Sequence, residues 1–426
     1  MTGSDTPDWP KPEWLAKGKA AVWPPYARFD ADALPVVSAS GVRLTLADGR
    51  ELIDGIANWW SACHGHGHPH IKAAIEAQLQ RFPHVMFAGL AHESAYRLAE
   101  RLTKRVPGDF SKVFFTESGS VSVEVGMKIV LQHAMITGRR YATRFLSFRG
   151  GYHGDTLATM PLCDPEEGMH AMYDGVFNPA LLADLPEDDA TTAALDRLLA
   201  DSAREIAAVV VEPLVQGAGG MKMHAPQTLR TIRRLCDRHG VLLIFDEIFT
   251  GFGRTGTMFA FEQAGAVPDI LCLSKALSGG TLPLAATLAR RPIAEAFESD
   301  HPAAVLMHGP TYMANALACA AANASLDLFE SEPRLEQAAA IAAQLGSELE
   351  SCRALPGVVD VRVMGAIGVV QMDRQTEGLR HRFPQLGVWA RPFRDIVYLT
   401  PPLTIGEADL SRLTAAVHQV VSEAGR

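Results

Sequence analysis

Residues 241–246 read Val241-Leu242-Leu243-Ile244-Phe245-Asp246, an apolar run that ends in a carboxylate. Residues 269–275 read Asp269-Ile270-Leu271-Cys272-Leu273-Ser274-Lys275, a second apolar run that ends in a lysine. Such short, nearly continuous runs are typical of strands that are covered on both faces. Stretches with helical periodicity alternate with them, and the strands predicted in this way are Val113–Thr116, Arg144–Phe148, Ile206–Glu212, Val241–Asp246 and Ile270–Ser274. The alternation predicts an α/β fold with a mostly parallel sheet.

The regions on either side of these strands have a different character. Alternating apolar residues and the turn Asp48-Gly49 predict a small β-meander in Pro35–Ile53. The first thirty residues are rich in Pro and Trp, among them Trp9 and Pro10, and this predicts an irregular arm without a helix. After about residue 325 the predicted elements are a helix in Pro333–Arg353, strands in Val358–Val363, Ile367–Met372 and Ile396–Thr400, and a helix in Gly406–Ala424.

The length of 426 residues suggests two or three domains. We predict an arm and β region in residues 1–60, a large ligand-binding domain in residues 61–325 and a smaller domain in residues 326–426. The 39 Lys and Arg against 48 Asp and Glu give a net charge of −9, which disfavours nucleic acid and anionic membranes as partners.

Cysteine usage and hydropathy restrict the class of protein further. Six cysteines without a CxxC pair argue against a zinc ribbon or a disulfide framework, so we expect reduced thiols and a cytoplasmic protein. Met1–Ala20 lacks the pattern of a signal peptide. Lys275 interrupts the apolar stretch Leu271–Ala289, so we expect no membrane span there.

Two charged residues at predicted strand ends are the first candidates for chemistry. Lys275 follows an apolar strand, and apolar surroundings favour the neutral, nucleophilic amine that a Schiff-base lysine requires. Asp246 also ends an apolar strand, where a carboxylate needs a partner such as a protonated pyridine nitrogen. Each pattern has an ordinary alternative: a lysine reaching solvent from a strand end, and an aspartate capping a helix.

Three further stretches follow predicted strands in the same way. Ser118-Gly119-Ser120 lies between a strand and a helix, which is the setting of an anion site but also of an ordinary capped helix. In Gly150–Asp155, glycines around Tyr152 would let its ring approach a flat ligand, although a core tyrosine in a glycine loop fits too. Glu212 ends another strand, and an ion-paired or capping carboxylate is the alternative there.

Four histidines alternate in the segment Cys63–His70, namely His64, His66, His68 and His70. This spacing invites a metal-binding interpretation. Glycines and a proline break any strand here, however, and the segment leads directly into a helix. We therefore predict no catalytic metal, while a metal-dependent or non-enzymatic role of this loop remains the competing hypothesis.

Taken together, an anion-binding turn, a stacking aromatic residue, a strand-end aspartate and a strand-end lysine form the set that pyridoxal phosphate needs. The segment Asp246–Gly256 followed by Ser274–Gly280 resembles the signature of the class III aminotransferases. Similar stretches extend from residue 23 to about residue 403, and they are Trp59-Trp60-Ser61, Gly150–Asp155, Val215–Gly220, His308–Met313 and Val388–Phe393. The resemblance implies pyridoxal 5′-phosphate and the type I fold of its enzymes, in which both termini contribute to the small domain.

The resemblance also implies roles for individual residues. Lys275 would bind the cofactor covalently and shuttle the proton, and Asp246 would contact the pyridine nitrogen. The other implied cofactor contacts are Gly119, Ser120, Tyr152, Glu212, Pro310 and Thr311, of which Thr311 would reach the phosphate of a neighbouring subunit and so imply a homodimer. The implied substrate contacts are Tyr26, Trp59, Trp60, Tyr152, Arg254, Lys275, Gly309 and Arg391, with Arg391 meeting a carboxylate.

Within class III, these stretches resemble the branch that serves biotin biosynthesis. That implies transfer of an amino group from S-adenosylmethionine to 8-amino-7-oxononanoate. The alternatives are an ω-aminotransferase with another amine donor, such as 4-aminobutyrate, ornithine or lysine, and an aminomutase. Three departures from the family pattern bear on specificity: Pro24 where a histidine is more common, His66-Gly67 in place of Tyr-Asn, and Ala314-Asn315-Ala316-Leu317 in place of Gly-Asn-Pro-Leu.

Overall fold

The protein is described by a computed structural model that covers residues 11–165, 169–173, 175–177 and 179–425. Its largest sheet has seven strands, which are in spatial order Phe110–Thr116, Ala285–Arg290, Ile270–Leu273, Leu242–Asp246, Ile206–Val211, Arg144–Phe148 and Leu181–Ala183. Only Ala285–Arg290 runs antiparallel to its neighbours. All five predicted strands are present, and the predicted α/β class with a mostly parallel sheet is confirmed.

The burial of these strands explains why the sequence shows them as continuous apolar runs. Every residue of Ile206–Val211 and Ile270–Leu273 is buried, since helices lie against both faces of the sheet. The α-helices of six or more residues in the described part of the chain are Glu13–Gly18, Pro69–Arg81, Glu93–Arg105, Gly119–Ile136, Asp189–Ser202, Pro226–His239, Arg291–Ala296, Ala316–Ser331, Arg334–Leu349 and Glu407–Ala424. Among the described residues, no helix is long and apolar enough to cross a bilayer.

Three smaller sheets accompany the large one. The strands Val36–Ser40, Arg43–Leu46 and Glu51–Asp54 form the predicted meander, and Val388–Trp389 adds to it in parallel. The strands Val358–Met364, Ile367–Met372 and Ile396–Leu399 form an antiparallel sheet. The third small sheet is a short hairpin of two strands, Val215–Gln216 and Lys222–Met223. Because Val388–Trp389 pairs with an N-terminal strand, we propose that the two terminal regions form one small domain beside residues 61–325.

The expectation that the arm has no helix is wrong for Glu13–Gly18, which forms a short α-helix. Pro12 stands at its N-cap, where a missing backbone N–H costs nothing, and Glu13 forms an ion pair with Lys17 one turn later. The prediction at Trp9 and Pro10 concerns residues outside the described part of the chain.

Candidate active site

The polar residues that follow the central strands lie around one cavity of about 130 Å³ at the carboxyl edge of the large sheet. Parallel strands present their carboxyl ends at the same edge, which is where ligands bind in such sheets. The residues that line the cavity are Trp60, Gly119, Ser120, Tyr152, His153, Gly154, Glu212, Ala218, Asp246, Ile248, Phe249, Ser274 and Lys275. The structure therefore brings together seven of the residues for which the resemblance implied a role.

The Asp246 carboxylate is buried and held by two groups. Its Oδ2 lies 2.9 Å from Nδ1 of His153, and its Oδ1 accepts a hydrogen bond of 3.2 Å from the backbone N–H of Ile248. These contacts fix the direction in which the carboxylate faces the cavity. The sequence pattern does not mark His153 as a site residue, although His153 lies inside the same glycine loop as Tyr152.

Lys275 occupies an unusual backbone conformation directly after its strand. Its φ of +46° lies in the left-handed region, which a residue with a Cβ adopts only at a cost. Its Nζ lies 4.8 Å from the centre of the Trp60 ring. Burial lowers the pKa of the Lys275 amine, and the negative charges of Asp246 and Glu212 oppose this only in part. A lowered pKa increases the fraction of neutral amine, which is the nucleophilic form.

Glu212 contacts backbone rather than a charged partner. Its Oε2 accepts a hydrogen bond of 3.0 Å from the N–H of Tyr152, and its Oε1 accepts one of 2.9 Å from the N–H of Gly217. Burial raises the pKa of Glu212 to about 7. This residue therefore holds the loop that carries Tyr152 against the hairpin that begins at Val215.

The raised pKa of Glu212 predicts a pH-dependent difference in stability. A group with a raised folded-state pKa contributes stability that is present below its unfolded pKa and is lost as the pH rises through about 7. Glu212→Gln removes this titration. Relative to the variant, the wild-type free energy of unfolding should fall by about 3 kcal/mol between about pH 4 and pH 8. Urea unfolding of both proteins across that range checks this, and a constant difference would contradict it.

The start of the helix Gly119–Ile136 lies at the cavity, which Gly119 and Ser120 line. The Ser118 side chain caps this helix by accepting a hydrogen bond of 3.4 Å from the N–H of Val121. A Cβ built on Gly154, whose φ is +130°, would lie 2.3 Å from the Ser120 hydroxyl oxygen. The glycine is thus required for the loop to approach the helix start. The first N–H groups of a helix have no partner within the helix, and together with the helix dipole they favour a phosphate at such a point.

Two tyrosines and an aspartate form a hydrogen-bonded group at the mouth of the cavity. The Tyr152 hydroxyl donates to Oδ1 of Asp155 at 2.7 Å, and the Tyr26 hydroxyl donates to Oδ2 of the same residue. Nε2 of His170 also lies 2.9 Å from Oδ1 of Asp155. Burial raises the pKa of Tyr152 and raises that of Tyr26 to about 12, so both phenols remain protonated donors at neutral pH.

Trp59 and Arg391 form a stacked pair next to this group. The guanidinium carbon of Arg391 lies 4.4 Å from the centre of the Trp59 ring, and Tyr26 meets the same ring edge-on at 6.0 Å. Stacking orients the planar guanidinium and leaves its N–H groups for a carboxylate. The geometry agrees with the predicted contact of Arg391 with a substrate carboxylate, which stays a prediction.

Four of the predicted site residues lie away from the cavity. Gly309, Pro310 and Thr311 belong to a loop at the surface, where the backbone oxygen of Thr311 accepts a hydrogen bond of 2.8 Å from His84. Arg254 is buried, and its Nη1 donates to the backbone oxygens of Ala366 at 3.2 Å and Pro401 at 2.8 Å.

Burial lowers the pKa of Arg254 to about 10. This position connects the large sheet to the C-terminal region and gives no support to a direct substrate contact. Arg254 thus matches the family motif, but its contacts in this chain are those of a residue that joins two parts of the fold.

The histidine loop is held by hydrogen bonds. Nε2 of His64 lies 3.0 Å from the Ser325 hydroxyl, and Nε2 of His70 lies 2.9 Å from an oxygen of Asp327. His68 caps the helix Pro69–Arg81. Among the residues that the structure describes, no group of three or more His, Cys, Asp or Glu side chains is arranged to hold a metal ion.

The residues around the cavity fit pyridoxal phosphate. The helix start would receive its phosphate, Asp246 would face its ring nitrogen, and Lys275 supplies an amine to the same cavity. Gly119 packs closely against Ile248, which also lines the cavity, because a Cβ at this position would lie 2.9 Å from the Ile248 side chain. A site with these features defines a pyridoxal-phosphate enzyme of the α/β class.

Comparison with known proteins identifies the family. The model of class III aminotransferases matches residues 26–421, and the chain therefore belongs to that family. The expected enzyme class and the expected cofactor, pyridoxal phosphate, are thereby confirmed.

The chain is similar to two proteins named adenosylmethionine-8-amino-7-oxononanoate aminotransferase. The one from Mycobacterium leprae is 46% identical over 97% of this chain and 98% of that protein. The one from Corynebacterium glutamicum is 42% identical over 94% of this chain and 96% of that protein.

Solved structures agree with this assignment. An enzyme of the same name from Methanocaldococcus jannaschii superposes with a TM-score of 0.91 at 29% identity, covering 96% of this chain and 98% of its own. An amine transaminase from an uncultivated Pseudomonas species gives a TM-score of 0.88 at 32% identity, covering 95% of this chain and 99% of its own.

Proposed function

We propose that this enzyme transfers an amino group from S-adenosylmethionine to 8-amino-7-oxononanoate, giving 7,8-diaminononanoate in biotin biosynthesis. The observation that carries this proposal is the stack of Arg391 on Trp59, next in sequence to Trp60, whose ring contacts Lys275. Both proposed substrates present a carboxylate, and one arginine can serve each of them in turn. The names of the relatives from Mycobacterium leprae and Corynebacterium glutamicum support the same assignment.

The chain's own residues account for the proton transfers. When bound, pyridoxal phosphate supplies an electron sink for the carbon that loses its proton. The neutral amine of Lys275 removes that proton and later returns it, because burial lowers its pKa. Asp246, held by His153, keeps a proton on the ring nitrogen. In the second half-reaction the same residues act in the opposite order. Because the first product leaves before the acceptor binds, the kinetics are ping-pong.

The aromatic residues at the mouth of the cavity suit the proposed donor. S-adenosylmethionine carries a sulfonium, and a cation over the face of a tyrosine or tryptophan is attracted by the ring. Tyr26 and Trp59 lie edge to face beside Arg391, so they offer such faces next to a carboxylate site. The aliphatic chain of 8-amino-7-oxononanoate would pack on the same rings.

Arg391→Lys is expected to weaken substrate binding more than turnover. Lysine keeps the positive charge but loses the planar fork and the stacking on Trp59. We expect KM for 8-amino-7-oxononanoate to rise about tenfold while kcat changes about twofold or less. Steady-state kinetics check this, with Arg412→Lys, an exposed arginine on the last helix, as the control. An unchanged KM would contradict the role of Arg391.

A panel of amino donors tests the proposed function. Each donor is supplied with 8-amino-7-oxononanoate, and the diaminononanoate formed is measured. We expect S-adenosylmethionine to work and lysine, glutamate, alanine and 4-aminobutyrate to fail. If one of these works and S-adenosylmethionine does not, the chain is an ω-aminotransferase with another amine donor. The similarity to the amine transaminase from an uncultivated Pseudomonas species would agree with that outcome. Product formed from one amine without an acceptor would instead indicate an aminomutase.

We propose that the enzyme is a cytoplasmic homodimer with shared active sites. Thr311 is exposed and does not line the cavity of its own subunit. Met307 and Tyr312 on the same loop expose 75% and 59% of their surface. An exposed apolar loop of this kind is typical of a protein interface. Six buried free cysteines fit a reducing compartment. Sedimentation at low concentration checks the assembly, and a fully active monomer would contradict it.

A further inference from the structure

The segment that carries the two cavity tryptophans forms a turn of left-handed helix. Four successive residues with side chains have positive φ, and they are Ala57 at +46°, Asn58 at +51°, Trp59 at +59° and Trp60 at +73°. The turn is closed by a hydrogen bond of 2.8 Å from the N–H of Trp60 to the oxygen of Ile56. L-residues avoid this conformation because the Cβ approaches the following carbonyl oxygen. Contacts from elsewhere must therefore hold the turn.

The carboxylate of Asp54 supplies those contacts. Its Oδ1 accepts a hydrogen bond of 3.0 Å from the N–H of Ile56, and its Oδ2 accepts one of 2.7 Å from the N–H of Asn58. Asp54 is completely buried. A buried carboxylate is costly without further partners, and Nε2 of His66 lies 2.9 Å from the same Oδ2. The Asp54 carboxylate, with the His66 ring as its further partner, thus holds the first residues of the left-handed turn.

His66 is one of the residues at which this chain departs from the family pattern. Its backbone is fixed independently of its ring, because its N–H and oxygen pair with Gly41 at 2.7 and 2.9 Å. Removing the ring should therefore leave the loop in place and affect mainly Asp54. The ring also borders a second cavity, of about 600 Å³, together with Asn58 and Arg391.

We propose that His66 is a positioning residue for substrate binding. It acts through Asp54, which holds the left-handed turn and thereby keeps Trp59 stacked on Arg391 and Trp60 next to Lys275. The inference rests on the proposed function, since it takes Arg391 as the group that meets the substrate carboxylate. It gives one histidine of the loop a role that does not involve a metal ion.

Three variants of the holoenzyme test this proposal. His66→Ala removes the partner of Asp54, whereas His66→Gln keeps an N–H group that can reach the carboxylate. His70→Ala is the matched control, because His70 lies in the first turn of the helix after this loop and forms a histidine–aspartate pair of the same length with Asp327. The readouts are kcat and KM for 8-amino-7-oxononanoate and the near-ultraviolet circular dichroism of the tryptophans. If His66→Ala does not fold, His66→Asn, whose amide is one methylene shorter than that of glutamine, replaces it.

For His66→Ala we expect KM to rise about tenfold, with kcat within about twofold of wild type. We also expect a weaker tryptophan dichroism band. His66→Gln should restore both readouts, and His70→Ala should change neither. Wild-type values for His66→Ala, or equal changes in His66→Ala and His70→Ala, would overturn the proposal. If even the wild type does not use this substrate, the proposed function fails, while the dichroism of the variants still decides whether His66 positions the tryptophans.

Discussion

Replacing Lys275 with alanine should lower turnover about 10⁴-fold, the upper end of what a positioned acid–base group contributes. In the proposed mechanism the lysine has two tasks, since it would bind the cofactor and carry the proton that moves during each half-reaction. Both depend on a neutral amine, and burial favours that form by lowering the pKa of Lys275. Within the described part of the chain, its Nζ makes no hydrogen bond or ion pair that would have to be broken first.

The measurement is single-turnover conversion of the cofactor by S-adenosylmethionine. Lys112→Ala serves as the control, because Lys112 is an exposed lysine on the first strand of the large sheet. A small primary amine added to the medium should recover part of the lost rate in Lys275→Ala and have no effect on the control. Retention of more than about one per cent of wild-type turnover in Lys275→Ala would contradict the role of this residue.

Asp246→Asn should lower turnover about 10²- to 10³-fold, the range observed when one preorganised electrostatic group is removed. Asparagine has nearly the same shape and can still contact His153, so the fold around the cavity should persist. Asparagine lacks the negative charge that, in the proposed mechanism, would keep a proton on the ring nitrogen. The electron sink is weaker without that proton, and removal of the substrate proton becomes slower.

This second prediction is checked by measuring the rate of proton removal with deuterated substrate, together with the amount of bound cofactor. A primary isotope effect should appear or increase in Asp246→Asn, since proton removal becomes rate-limiting. Asp300→Asn, at an exposed position, is the control. Unchanged turnover in Asp246→Asn with full cofactor content would show that the carboxylate does not act on the ring.

Much of the central sheet could be predicted from the sequence because its strands are buried on both faces. The strand Ile206–Val211 is entirely buried, so its apolar run is continuous and stands out from its surroundings. Asp246 and Lys275 stand out for the same reason, as charged residues at the end of such runs. The short helix Glu13–Gly18 is hard to predict because its signals are weak and local, and it has no buried residue.

Other features depend on contacts between distant parts of the chain. The partner of Asp246 is His153, which lies 93 positions earlier in the sequence and was hidden in a glycine-rich loop. The left-handed turn at Trp59 has no signal in its own residues, because Asp54 and His66 hold it from outside. Arg254 matched a motif, yet packing placed its guanidinium against backbone oxygens.

The most direct test of the account is borohydride reduction of the holoenzyme followed by peptide mapping. Reduction converts the carbon–nitrogen double bond between cofactor and lysine into a stable single bond, so the label reports which lysine was attached. We predict that the label lies on the peptide containing Lys275 and that Lys275→Ala carries none. A label on any other lysine of the wild-type enzyme, or no label at all, would contradict the assignment of this cavity as the active site.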